Sequence, residues 1–203
     1  MLRTRTLYAL ISFLFAPLIS HGGLGDLPFG LRSGISIQEA KLQLSKRKVI
    51  TYNVKYSKPN NLNYDVKGIV FNEIEMTNFD VFFSNAGDFV YASMRGKPID
   101  DGQDAYNTLV KLFKFCKEQN LDLAYQKIDE LDKFGDLDGG SMAAFNQGKP
   151  ITVNINSKIV EVSDKDYYII ELQWMDIRAG QKALDQKAED KRRKDNNAVN
   201  LLE

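Results

Sequence analysis

The fold is decided by residues 78–94, NFDVFFSNAGDFVYASM, in which two apolar-rich runs flank a short polar segment. In the first run Phe79, Val81 and Phe83 fall on one side, as the period of two in a β-strand requires. Residues 85–88, Asn-Ala-Gly-Asp, predict a tight reversal because Asn and Gly tolerate positive φ. The second run then returns antiparallel to the first, so this stretch predicts a β-hairpin.

Further strand-like runs lie on both sides of the hairpin, at residues 49–56, 66–74, 151–155, 159–162 and 167–174. Gly68 predicts a bulge in the second of them, because glycine weakens a regular strand. In the last run the apolar side chains from Tyr168 to Trp174 fall on one face, while Glu171 and Gln173 face the other way. Such a stripe could line a ligand groove, but this spacing is more typical of core.

Two helices are predicted. The first covers residues 36–46 and begins with Ser36, which can form a capping box with the glutamate three positions later. The second runs from Asp101 or Asp104 to about residue 119 and carries an apolar stripe at helical spacing. The stripe consists of Ala105, Leu109, Leu112, Phe113 and Cys116.

This order of elements predicts an α+β fold, with an antiparallel sheet and helices packed on one of its faces. The order also suggests a loose tandem of two helix-plus-sheet units, with halves at 26–100 and 101–177 inside a domain of residues 23–177. Between the halves, residues 121–134 are ambiguous between helix and strand, and residues 135–148 predict a Gly-rich loop.

The two termini differ in composition from this domain. Residues 1–22 predict a cleaved signal peptide, because Arg3 and Arg5 precede a short apolar run at 7–19 and small residues follow. The expected compartment is a bacterial periplasm, with the extracellular space as the second choice. The charged tail, residues 178–203, is predicted to be a solvated helix or disordered.

Composition excludes several classes of function. The chain has 27 basic and 27 acidic residues, and loss of Arg3 and Arg5 with the signal leaves a net charge of −2. A nearly neutral chain has no general electrostatic attraction for nucleic acid. No later segment is apolar enough for a stable membrane span after signal cleavage.

Histidine and cysteine chemistry is scarce. His21 is the single histidine and falls at the predicted cleavage region, so a mature chain has no base for a His-dependent nucleophile and no histidine for zinc. Cys116 is the single cysteine, and its place in an apolar stripe predicts a buried thiol. The acidic residues of segment 129–138 lack the ligand spacing of an EF-hand. No catalytic, metal or cofactor-binding residue is assigned, and no cofactor is expected.

The segment 29–40 reads FGLRSGISIQEA. It resembles the opening of small bacterial envelope modules, the β-lactamase-inhibitor-protein-like fold and the small outer-membrane lipoprotein A family. In those modules a Gly, an apolar residue and Ser or Thr precede an acidic helix and a curled antiparallel sheet. The resemblance implies a protein-binding scaffold rather than an enzyme. It does not extend to a lipid anchor, because the exit of the signal segment has no cysteine.

Three functions follow as hypotheses. The first is an exported, non-enzymatic protein that binds another protein or an envelope component through its sheet. The second is a small hydrolase that uses paired carboxylates or a Ser-Lys pair, with the 135–148 loop near its site. The third is a small-ligand carrier with an apolar cavity between sheet and helices.

Overall fold

The computed structural model describes residues 27–119, 121–128, 140–146 and 151–182, together with residues 185, 188, 189 and 192. The predicted signal peptide, the acidic residues of 129–138 and most of the charged tail lie outside the described residues. Two helices and eight strands are described, with a 3-10 turn at Pro28–Gly30 before them and further helical residues from 177 onward. They are α1 (Ile37–Ser45), β1 (Ile50–Tyr52), β2 (Asn61–Phe71), β3 (Ile74–Phe83), β4 (Phe89–Gly96), α2 (Gly102–Glu118), β5 (Asp122–Gln126), β6 (Gly140–Asn146), β7 (Ile151–Val162) and β8 (Lys165–Asp176).

The eight strands form one antiparallel sheet in the order β1-β2-β3-β4-β8-β7-β6-β5. The first four strands make a meander after α1, and the last four make a second meander after α2. Pairing of β4 with β8 joins the two meanders, and β1 and β5 are left at the edges. The predicted mixed class with an antiparallel sheet is confirmed, and the sheet dominates it.

The hairpin predicted at residues 78–94 is confirmed. Phe79 pairs with Met94 and Val81 pairs with Ala92. The reversal between the strands is closed by a hydrogen bond from the Ser84 amide to the Asp88 carbonyl at 2.8 Å. Gly87 in this turn has φ of 84°, a conformation that costs glycine little.

Both helices begin where the sequence predicts. In α1 the Glu39 amide donates to Ser36 Oγ at 3.3 Å, and the Ser36 amide donates to the Glu39 carboxylate at 3.1 Å. In α2 the cap is Asp101, which accepts from the Asp104 amide at 2.9 Å. All five residues of the predicted α2 stripe are buried.

The helices and strands contribute to one apolar core. Phe79, which is fully buried in β3, meets the ring of Phe29 edge to face at a centroid distance of 4.9 Å. In the second half Phe113 of α2 lies against Phe145 of β6, with ring centroids 5.7 Å apart. The N-terminal turn, α2 and both meanders therefore share one core, while the packing of both helices on a single face stays a prediction.

Two strand predictions were wrong in extent. The run 49–56 forms a strand only at Ile50–Tyr52, because the chain then turns and the Ser57 amide bonds the Asn53 carbonyl. Apolar residues continue to alternate with polar ones through this turn, but the turn residues form no strand ladder, and Val54 and Tyr56 are exposed. The run 66–74 is divided by a turn at Asn72 and Glu73, both of which have positive φ.

The prediction of a Gly-rich loop over residues 135–148 was wrong for residues 140–146, which form β6. Ala143 pairs with Ile155 and Phe145 pairs with Val153, and all four side chains are fully buried. Small residues carry little strand propensity, so neighbouring strands decide this conformation. The ambiguity at residues 121–134 is resolved as a strand over Asp122–Gln126.

The chain is helical after β8, at residues 177–182, and makes side-chain contacts through Asp176 and Lys182. Asp176, which is buried, accepts from the amides of Arg178 and Ala179 at 3.0 and 3.1 Å and from the hydroxyl of Ser33. Lys182 forms a salt bridge with Asp88 at 2.7 Å, which ties the helix to the β3–β4 turn. The described part of the tail is helical, which is one of the two states predicted for it.

Replacement of Phe79 by Ala should lower the free energy of unfolding by about 3 to 5 kcal/mol, because it leaves a cavity in the centre of the core. Urea unfolding followed by circular dichroism measures this. The control is Val70→Ala, since Val70 is 61 % exposed and should change stability little. Equal effects at the two positions would contradict the described core.

Candidate functional site

Two rows of polar side chains cross the centre of the sheet. Residues in cross-strand register share one face of a sheet. One row runs Asn63, Asp80, Ser93, Gln173, Asn154, and the next runs Asn78, Arg95, Glu171, Asn156. We call these nine residues the polar face. They alternate along each strand with the apolar residues of the core, so they lie on the opposite side of the sheet.

Asp80 is the centre of a hydrogen-bond network on the polar face. Its carboxylate accepts from the Asn63 amide at 2.6 Å and forms a salt bridge with Arg95. Arg95 also donates to Asn78 Oδ1 at 2.5 Å, and Asn63 donates to the same oxygen at 3.2 Å. The four side chains therefore hold one another across β2, β3 and β4.

This network is largely removed from water although it lies outside the apolar core. Asn63 and Asp80 are 4 % and 7 % exposed, and Ser93 and Asn154 are equally buried. A buried carboxylate is costly unless it is paired, and Arg95 together with Asn63 meets that requirement. The Nε of Arg95 is buried and has no partner among the described residues.

Glu171 lies beside Arg95 in the register and is half-buried. Burial raises the pKa of its carboxyl above 4.5, and the charge of Asp80 acts in the same direction. The charges of Arg95 and Lys158 oppose this increase in the pKa. A hydrogen bond between the side chains of Glu171 and Ser93 also lowers this pKa, while Arg95 donates to Asn78 and Asp80 of β3.

An aromatic pair borders the polar face. The rings of Phe82 and Tyr91 are stacked, with centroids 5.1 Å apart and planes 15° from parallel. Tyr91 pairs with Met175 across β4 and β8. Burial raises the pKa of Tyr91, and the charges of Asp80 and Glu171 raise it further. The phenol therefore stays neutral and remains a hydrogen-bond donor beside the charged groups.

The residues singled out from sequence lie elsewhere. The stripe from Tyr168 to Trp174 is core, as its spacing indicated, since Ile170, Leu172 and Trp174 are buried. Cys116 is fully buried, and this burial raises the pKa of its thiol to about 12. A thiol with that pKa stays protonated and is a poor nucleophile.

Sequence reasoning did not predict the polar face as a site. The alternation did place Glu171 and Gln173 on the side away from the core, and the same pattern applies to Asp80. Arg95 meets Asp80 across the β3–β4 hairpin, 15 positions away, whereas Glu171 is brought beside Arg95 only by the pairing of β4 with β8. The sequence feature that could have predicted this site is therefore the set of polar residues that alternate with apolar ones in each strand.

The described residues offer little for the other chemistries considered. Within them, no group of three or more His, Cys, Asp or Glu side chains is placed to hold a metal ion. The lysine amines that make hydrogen bonds there, those of Lys111, Lys165 and Lys182, are bound to carboxylates rather than to serine. Neither do the described helices include one with the length and apolarity to cross a membrane.

No family model matches the sequence, and neither the curated proteins nor the solved structures include a match to it.

Replacement of Arg95 by Met should lower the free energy of unfolding by about 2 kcal/mol, because it leaves the Asp80 carboxylate buried without its cation. Adding Asp80→Asn to that variant should recover part of the loss, since no buried charge then remains. Urea unfolding of the two single variants and the double variant measures the coupling. Additive losses would show that the two side chains do not interact.

Replacement of Glu171 by Gln should stabilise the protein at neutral pH and have little effect well below pH 4.5. The folded state binds the Glu171 proton more tightly than the unfolded chain does, so ionisation removes stability as the pH rises above 4.5. Glutamine does not ionise, and the difference in unfolding free energy should grow over this range and then level off. A difference that is constant with pH would contradict the raised pKa.

Proposed function

We propose that this protein is an exported, non-enzymatic binding protein that holds another protein or an envelope component on the polar face of its sheet. The observation that carries the proposal is the fixed array of hydrogen-bonding side chains across β2, β3, β4, β8 and β7. The compartment we propose is the bacterial periplasm. The predicted signal segment supports this part of the proposal, although it lies outside the described residues.

The polar face has the properties of a preorganised binding surface. Binding loses free energy when mobile side chains must be ordered, and here Asn63, Asp80 and Arg95 are ordered by one another beforehand. Tyr and Arg are also the residue types that most often dominate the energy of protein interfaces. Tyr91 and Arg95 are both half-exposed, so a partner can reach them.

The mixed chemistry of this surface favours a polar partner. Amide side chains at Asn154, Asn156 and Gln173 can each donate and accept hydrogen bonds. Next to them Arg95 and Glu171 offer both signs of charge. A polypeptide loop presents the same mixture of donors, acceptors and charges, which is why we favour a protein partner over an apolar ligand.

The face of the sheet on which the helices pack, and the division of the chain into two units, are also part of this proposal. We place both helices on the apolar face of the sheet, which leaves the polar face open to a partner. The contact of Phe113 with Phe145 supports this arrangement for α2, and the burial of Ala40 and Leu44 in the same core supports it for α1. We also interpret α1 with β1–β4 and α2 with β5–β8 as two units of a tandem, because each helix precedes a four-stranded meander.

One observation favours the hydrolase as a second candidate. Burial raises the pKa of the Glu171 carboxyl, and Asp80, which is paired with Arg95, lies close enough for its charge to raise that pKa further. Acid hydrolysis of a glycosidic bond needs such a pair. Asp80, however, is already engaged by Asn63 and Arg95, which leaves it poorly placed to act as a base or nucleophile.

Substitution on the polar face should abolish partner binding. The variant is Asn156→Arg with Gln173→Arg, because both side chains are half-exposed and neither belongs to the Asp80 network. Native mass spectrometry of the protein isolated gently from its own cell envelope should show an assembly for the wild type and a bare monomer for the variant.

The matched control is Gln38→Arg with Gln119→Arg, which changes charge equally at exposed positions outside the sheet. It should retain the assembly. A wild-type protein that is itself a bare monomer, or an assembly that survives the polar-face variant, would contradict the proposal. The measured mass also tests export, since a mature chain should begin near residue 23.

A separate assay distinguishes the hydrolase. A panel of nitrophenyl glycosides should show no turnover above the uncatalysed rate with the wild type, and Glu171→Gln should be indistinguishable from it. Turnover that is present in the wild type and lost in Glu171→Gln would show that the protein is a hydrolase. A binding protein is expected to show neither the turnover nor its loss.

A further inference from the structure

A strongly basic segment lies in this otherwise balanced chain. Residues 40–64 contain six basic residues and no acidic one, although the whole chain has 27 of each. Arg47 is used internally, because it donates to the Phe29 carbonyl at 3.1 Å. The other five are exposed lysines, Lys41, Lys46, Lys48, Lys55 and Lys58.

The topology places these lysines along one edge of the sheet. Lys41 and Lys46 lie on or just after α1, Lys48 precedes β1, and Lys55 and Lys58 follow it. Strand β1 is the first in the order of the sheet, so its outer side has no neighbour among the described strands. None of the five amines forms a salt bridge with a residue in the part of the chain that the structure describes.

Large apolar side chains are exposed among the lysines. Tyr52, Val54 and Tyr56 are 41 %, 76 % and 58 % exposed. The amine of Lys41 lies 5.9 Å from the ring centre of Tyr52, and that of Lys55 lies 5.1 Å from the ring centre of Tyr56. We call the five lysines and these three residues the basic edge.

The acidic residues that bound this segment in sequence, Glu39 and Asp65, are two against five lysines. Asp65 pairs with Thr51 across β1 and β2, and its carboxylate accepts from the Asn53 side chain at 3.0 and 3.1 Å. Glu39 is bound to Ser36 at the start of α1, close to Arg32. The five lysine charges therefore exceed the acidic charge around them.

Lysines on an edge strand also oppose the addition of further strands. That role does not account for the basic edge, because protection from association disfavours exposed Tyr and Val side chains. Lysine around exposed aromatic and aliphatic side chains is instead the composition of surfaces that bind the lipid–water interface. The lysines meet anionic headgroups, and the apolar side chains enter the boundary below them.

We propose that the basic edge docks this protein on a membrane surface that contains anionic phospholipids. Val54 decides for lipid over nucleic acid, because an aliphatic side chain with three quarters of its surface exposed gains from an acyl boundary and not from a phosphate backbone. The polar face begins on β2, next to β1, but it shares no residue with the basic edge, so this proposal stands apart from the proposed function.

Co-sedimentation with vesicles tests the charge component. The protein should bind vesicles of phosphatidylcholine mixed with phosphatidylglycerol more tightly than phosphatidylcholine alone, and added salt should weaken the difference. Replacing Lys46, Lys48, Lys55 and Lys58 by Gln should lower the partition coefficient roughly a hundredfold or more. The matched control replaces Lys97, Lys111, Lys114 and Lys117, which are exposed elsewhere, and should change it far less.

Fluorescence tests the apolar component at one position. The chain has a single tryptophan, Trp174, which is buried and gives a constant background. In Val54→Trp the added emission should shift to the blue on phosphatidylglycerol vesicles and be quenched by spin-labelled lipid. Val162→Trp is the control, because Val162 is 54 % exposed at the β7–β8 turn and should show neither effect.

Every variant carries the same N-terminal segment, so its contribution to vesicle binding cancels between variants. Circular dichroism checks that each variant is folded. The proposal would be overturned by equal loss of binding in the control lysine variant, by no shift in Val54→Trp, or by binding to heparin or RNA without binding to phosphatidylglycerol vesicles.

Discussion

The pairing of β4 with β8 is the contact on which both faces of this protein depend. It joins residues that are about eighty positions apart in sequence, and without it the two meanders have no common sheet. The same five pairs place Ala92 beside Trp174 in the core and Arg95 beside Glu171 on the polar face. Because strand side chains alternate, a slip of one residue would exchange the two faces. Burial of the apolar row therefore also fixes the polar row.

The Asp80–Arg95 pair orders the side chains of the polar face more than it stabilises the fold. Removing two charges from water costs free energy that their attraction only partly offsets, and an apolar pair of similar volume would often serve stability equally well. What the pair does provide is a fixed direction for each hydrogen-bonding group on the polar face. Fixed directions reduce the entropy that a bound partner must remove, which is a property useful in recognition.

A balanced total charge conceals local differences that matter for function. The absence of acidic residues between Glu39 and Asp65 concentrates positive charge at the β1 edge, while the polar face carries both signs in close contact. Charges closer together than a Debye length act jointly, whereas the net charge of the chain describes only distant behaviour. The described residues therefore form two surfaces with different chemistry, one with amides and both signs of charge and one with exposed lysines and apolar side chains.

Local sequence determined the elements whose stabilising contacts are local. The capping box of Ser36 and Glu39, the α2 stripe through Leu109 and the hairpin turn at Gly87 all depend on neighbours within a few residues. Tertiary structure alone decided that the small residues around Ala143 form a strand, since Ile155 and its neighbours bury them. It also decided the candidate site: alternation directed Asp80 and Glu171 outward and the local hairpin brings Arg95 to Asp80, but only the pairing of β4 with β8 brought Glu171 beside them. The physical reason is that the register between distant segments is set by burial of the whole apolar face, which no local pattern contains.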